Sequence, residues 1–124
     1  MNRTIIGRFE HGPGLPRQEG TNAMPAPRIG FGSTPPGQGW EIYYDNIYID
    51  VDTSSAEFTG TPIYIASLGG DGTMWDYLSA SAIYTPTPTG FRVYLQHHKS
   101  DQRVEPSHAQ QYNFHINWIG VENP

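Results

Sequence analysis

Cysteine is absent from the 124 residues, which removes disulfides, thiolate metal ligands and thiol nucleophiles together. Positive charge is scarce: seven Lys and Arg stand against twelve Asp and Glu, for a net charge of −5. With no basic run in the chain, a phosphate-tracking surface lacks its main source of affinity, so nucleic acid is not expected as a partner. Long apolar runs are missing as well. None approaches the roughly 18 residues of a membrane-spanning helix, and Met1 to Gly12 lacks the apolar stretch of a secretory signal. The compartment stays open, because a cysteine-free chain is compatible with each of them.

Glycine and proline, by contrast, are plentiful: 14 Gly and 11 Pro outnumber the charged side chains, a balance that disfavours long helices and favours short strands between sharp turns. At 13.8 kDa the chain can bury a core without covalent staples. Three stretches follow from the patterning. Residues 1–10 hold a first edge strand, Thr4 to Phe9, whose side chains alternate about Gly7. Residues 11–39 carry seven Gly and six Pro and read as an arm or loop that cannot make its own core and lies over the domain or a neighbouring copy. Residues 40–124 hold the regular strands.

Within that last stretch Ile47, Ile49 and Val51 alternate with Tyr48, Asp50 and Asp52, and Pro62 to Leu68 follows, closed by the turn Gly69-Gly70-Asp71-Gly72. Ala80 to Tyr84 is predicted as a strand ended by Pro86 and Pro88, and Phe91, Val93 and Leu95 alternate with Arg92, Tyr94 and Gln96. Ser107 and Gln110 suggest a capping box over one helical turn after Pro106. Phe114, Ile116 and Trp118 share one face of the final strand and His115, Asn117 and Ile119 the other. Six short strands at this spacing predict an all-β fold, a six-stranded antiparallel β-sandwich with a Gly/Pro-rich N-terminal arm.

Catalytic signals are weak. Asp50 and Asp52 share a strand face about 7 Å apart, within the separation glycosidases use, but two carboxylates in one solvated environment do not acquire the different pKa values that acid and base roles need. The run from Asp50 to Ser55 lacks the Gly and the closing Glu of an EF-hand. His97 and His98, adjacent on a strand, are expected to point to opposite faces and not to share a metal ion. No nucleophile elbow, P-loop or dinucleotide fingerprint is present. Neither an enzyme nor a cofactor is expected.

The positive signal is aromatic: three Trp, eight Tyr and five Phe. Phe91, Phe114 and Trp118 fit core positions by periodicity, whereas Trp40, Trp75, Tyr77 and Tyr112 fall in turn-rich segments. Rings exposed beside short polar groups suit sugars, which present an apolar C–H face to a ring and hydroxyls to polar side chains.

Two blocks, Pro88 to Arg92 and Tyr112 to Asn123 (YNFHINWIGVEN), resemble the H-type lectin domain, as do Asn46 to Ile49 and Thr61 to Leu68 upstream and, more loosely, Gly7 to Glu10. The resemblance implies a six-stranded sandwich that assembles as a homotrimer, an extracellular or cell-surface setting, no catalysis, and galactose or N-acetylgalactosamine bound at clefts between protomers. By spacing from Gly90, the family's Trp-His pair falls at His98 and Lys99, its interface Arg at Leu78 and its sugar-binding Asp at Gln38, four departures from the family's ligand set. The rim expected to bind glycan therefore comprises His98, Lys99, Gln38, Leu78, Asp101 and Trp75, with Gln102 and His108 in the longer segment beside it. The competing expectation is a structural assembly module of a spike, fibre or filament, in which the arm adds to a neighbour's sheet edge.

Overall fold

The structure is a computed structural model that describes residues 3–8, by their backbone, and residues 26–124. The fold is all-β. Nine antiparallel strands are found among the described residues: β1 (Arg3–Arg8), β2 (Arg28–Ser33), β3 (Trp40–Tyr43), β4 (Asn46–Asp52), β5 (Ile63–Gly69), β6 (Tyr77–Leu78), β7 (Tyr84–Thr87), β8 (Gly90–His97) and β9 (His115–Glu122). One helix of six residues, α1 (Pro106–Gln111), precedes β9. No helix among the described residues is long and apolar enough to cross a membrane.

Two sheets form. The first runs β1-β2-β9-β5, and the second runs β3-β4-β8-β6 with β7 also on β8. The central strands β8 and β9 take their inner faces from period-two patterning: Phe91, Val93 and Leu95 on one, Ile116 and Trp118 on the other, all buried. Ile47, Ile49 and Val51 of β4 and Tyr64 and Ala66 of β5 complete one core between the sheets. Tyr64 crosses that core, its ring 4.5 Å from Phe91 and its hydroxyl 2.7 Å from the Thr53 hydroxyl. Burial removes water from the Tyr64 hydroxyl and raises its pKa.

Several expectations change. Six strands become nine: β2 lies in the stretch read as an arm, and β3 and β6 are too short to carry a periodic signal and pair only through neighbours with a stronger one. The predicted strand Ala80 to Tyr84 moves: β7 is Tyr84–Thr87 and includes Pro86, tolerated where only one side of a strand is paired. The stretch 11–39 is not one arm. Residues 11–25 lie outside the described residues, while Arg28–Ser33 is a full strand between β1 and β9. Its pattern is inverted, with glycine inward and Ile29 and Phe31 outward. A Cβ on Gly30 would stand 2.6 Å from the Ala56 Cβ, and one on Gly120 of the facing strand 2.8 Å from the Phe58 ring. The bulk of Phe58 and Ala56 occupies the room these glycines leave.

Trp40 is buried rather than surface-lying, its indole N–H donating to the Phe114 carbonyl at 3.0 Å. The Gly37 amide donates to the same carbonyl at 2.8 Å, so loop 34–39 is laced to the start of β9. The helix begins two residues earlier than predicted. Glu105 is its cap, with Pro106 at the first position, and His108 closes the capping box by accepting from the Glu105 amide at 3.1 Å.

Candidate functional site

The exposed rim between the 70s turn and the end of β8 is built by a short ladder. Tyr77 pairs with His97 and Leu78 with Gln96. The His98 amide then donates to the Asp76 carbonyl at 2.8 Å, which extends the pairing one step past the strand. Tyr77 anchors this ladder to the core, its ring 5.1 Å from Phe114 and 5.4 Å from His97, edge-on to both. Burial, followed by the nearby Asp76 carboxylate, raises the Tyr77 pKa.

Ahead of β6 lies a 3-10 turn, Met74–Asp76, closed by the Asp76 amide donating to the Thr73 carbonyl at 2.9 Å. Thr73 enters it with φ at +64°, a left-handed conformation costly for a β-branched residue, of order 1 kcal/mol. This turn throws Trp75 outward, where 88% of it is exposed. A tryptophan so placed contributes little to the core that other aromatics build.

Across the ladder the chain turns out of β8 at His98, and the imidazoles of His97 and His98 stack with centroids 4.7 Å apart and 27° between planes. The expectation that these two rings point to opposite faces is therefore corrected. It assumes a strand continuing through His98, but β8 ends at His97 and the following bend reorients the next side chain. His98 Nε2 lies 3.6 Å from Asp76 Oδ1, and one ligand atom from each of Asp76, His97 and His98 falls within 4.8 Å of the others. The Lys99 amide donates to His97 Nδ1 at 3.0 Å.

No family model, no curated protein and no solved structure matches the chain.

Of the six residues expected at a sugar rim, Trp75, Leu78 and His98 lie along the 76–78/96–98 ladder or at its flank, and all three are exposed. Lys99 and Asp101 are exposed in the bend that follows, a turn closed by the Gln102 amide donating to the Lys99 carbonyl at 3.0 Å and ended by buried Val104. Gln38 stands in another turn, after Gly37, which packs against Gln110 of α1. Asp76 is the residue that sequence reasoning passed over. Only the register of a two-residue strand brings it beside His98, and so short a strand leaves no periodic trace.

The acidic pair weighed for glycoside hydrolysis sits elsewhere, in an open depression of about 360 Å³ lined also by Thr85, Thr89 and Phe91. Asp50 is committed to Arg92 in a two-pronged pair at 2.7 and 3.0 Å. Asp52 accepts from the Ser54 hydroxyl and from its amide at 2.9 Å, and these bonds lower its pKa. The bonds to Asp52 favour its charged form, whereas a general acid needs a carboxyl held neutral.

Proposed function

We propose that the chain is a carbohydrate-binding protein that holds glycan without catalysis, at the rim formed by Trp75, Leu78, His98, Lys99 and Asp101, and that it acts as a homotrimer. The observation that carries this reading is the outward Trp75, offered beside imidazole and carboxylate groups on a braced ladder. A sugar ring laid on the indole would keep its hydroxyls within reach of polar donors and acceptors. The resemblance to H-type lectins supplies the class, galactose or N-acetylgalactosamine, and the trimer. Multivalency turns weak single sites into useful avidity on a glycan surface.

The test is a glycan array read with purified protein beside its oligomeric mass. Trp75→Ala is expected to cut retention on galactose-terminated glycans about tenfold, in line with the worth of one ring contact. Trimers that retain no glycan on the array would sink the sugar reading.

A second reading, a structural assembly module, draws on the outer face of the first sheet. There Ile29, Val121 and Ile63 form one cross-strand row and Phe31, Ile119 and Ile65 the next. Assembly lost on polar substitution of these rows, with no measurable glycan binding, would favour that role.

A further inference from the structure

We propose that Asp76, His97 and His98 form a binding site for one divalent transition-metal ion of the zinc class. The site goes beyond glycan recognition and does not depend on it.

Donor chemistry selects the ion. Two imidazoles and one carboxylate suit zinc and its neighbours, whereas calcium and magnesium prefer sites made of oxygen alone. Three protein ligands are also the number found where zinc keeps a position open to solvent. Bonds of about 2.0–2.2 Å in a tetrahedral site put donor atoms roughly 3.4 Å apart. The present separations, all within 4.8 Å and 3.6 Å for the Asp76–His98 pair, need only a small inward movement. That movement falls on side chains with room to make it, since Asp76 and His98 are 35% and 44% exposed. The backbone beneath them is already fixed by the His98 amide on the Asp76 carbonyl and by the Tyr77–His97 pair. The ligands are thus pre-positioned by three elements: the 3-10 turn, the end of β8 and the bend after it.

One existing bond must be given up. The Lys99 amide donates to His97 Nδ1, so a neutral His97 carries its proton on Nε2. If the ion takes Nδ1, it displaces that amide directly. If it takes Nε2, the proton moves to Nδ1, which then no longer accepts. Either route releases the Lys99 N–H, and that release marks metal binding at this site and at no other.

Zinc titrated calorimetrically into the untagged full chain is expected to bind at one equivalent. Asp76→Asn and His98→Ala should each weaken binding at least tenfold, while His108→Ala and Asp101→Asn leave it unchanged. In nitrogen-15 spectra, zinc should shift the Lys99 amide and the ring nitrogens of both His97 and His98, and calcium should shift none of them. Far-UV circular dichroism checks that each variant retains the fold. The proposal is overturned if zinc fails to saturate at one equivalent, if the Asp76→Asn/His98→Ala double variant binds like the parent chain, or if the Lys99 amide stays put in the zinc-loaded protein.

Discussion

The two outer faces of the sandwich are made by the same pleat and finished in opposite ways. On the second sheet, the outward positions of β3, β4, β7 and β8 carry tyrosines and charges that satisfy one another. The Arg92 guanidinium lies 4.1 Å from the centre of the Tyr48 ring while pairing with Asp50, and Tyr94 packs its ring 4.9–5.0 Å from Tyr43 and Tyr84. The Tyr48 hydroxyl donates to Glu41 at 2.7 Å, a bond that raises the Tyr48 pKa. On the first sheet two outward rows are apolar. Ile63 and Ile65 are 64% and 63% exposed, and polar side chains stand in the rows Ser33–Asn117–Ser67, where the Ser33 hydroxyl donates to Asn117 at 2.6 Å, and His115–Gly69. A face whose polar groups are internally paired tolerates water; an aliphatic face gains by being covered.

The inner faces set the scale against which both outer faces are compared. Phe114→Ala removes a fully buried ring that packs edge-on against Tyr77, and should cost about 3–5 kcal/mol in denaturant unfolding. On the aliphatic face, Ile63→Ser with Ile65→Ser should leave the fold intact and lower the mass measured by sedimentation toward that of one chain. A parent protein already sedimenting as a single chain would remove the contrast between the faces. On the tyrosine face, Arg92→Ala should lower Tm by less than Phe114→Ala does, and added salt should shrink the difference from the parent, because an exposed pair is screened.

The smallest effect is expected at the end of β9. Glu122 accepts from the Thr59 hydroxyl at 2.7 Å and from the Gly60 amide, and these bonds lower its pKa. A carboxylate whose folded pKa lies below its unfolded one contributes stability that is present above the unfolded value, about 4.3 for Glu, and is lost as pH falls through the folded value. Thermal unfolding of the parent should therefore fall off more steeply below about pH 4.3 than that of Glu122→Gln. Parallel curves would assign the acid sensitivity to other groups, Asp52 first.

Some of this was legible in the chain and some was not, for identifiable reasons. The strict alternation of Phe91 to Leu95 and of Phe114 to Trp118 shows which side of β8 and β9 is buried, since a half-buried strand leaves a period of two. The strand Arg28–Ser33 was hidden because its inward residues include glycines, and a linear reading does not place the Phe58 and Ala56 side chains opposite Gly30. At the rim, Trp75 and His98 were accessible to sequence reasoning as an unplaced aromatic and an unplaced imidazole. Their relation to Asp76 was not, because it depends on a two-residue pairing and on a bend.

Composition and periodicity alone determined that this chain builds antiparallel strands around a cysteine-free core, and which apolar side chains of β4, β8 and β9 enter it, because those properties are local and repeat along the backbone. Tertiary structure alone decided that residue 76 meets residues 97 and 98, that one outer face is apolar across three strands, and that Asp50 on β4 is tied to Arg92. Each of these is a relation between segments distant in sequence, and strand register, which no single segment encodes, brings the partners together.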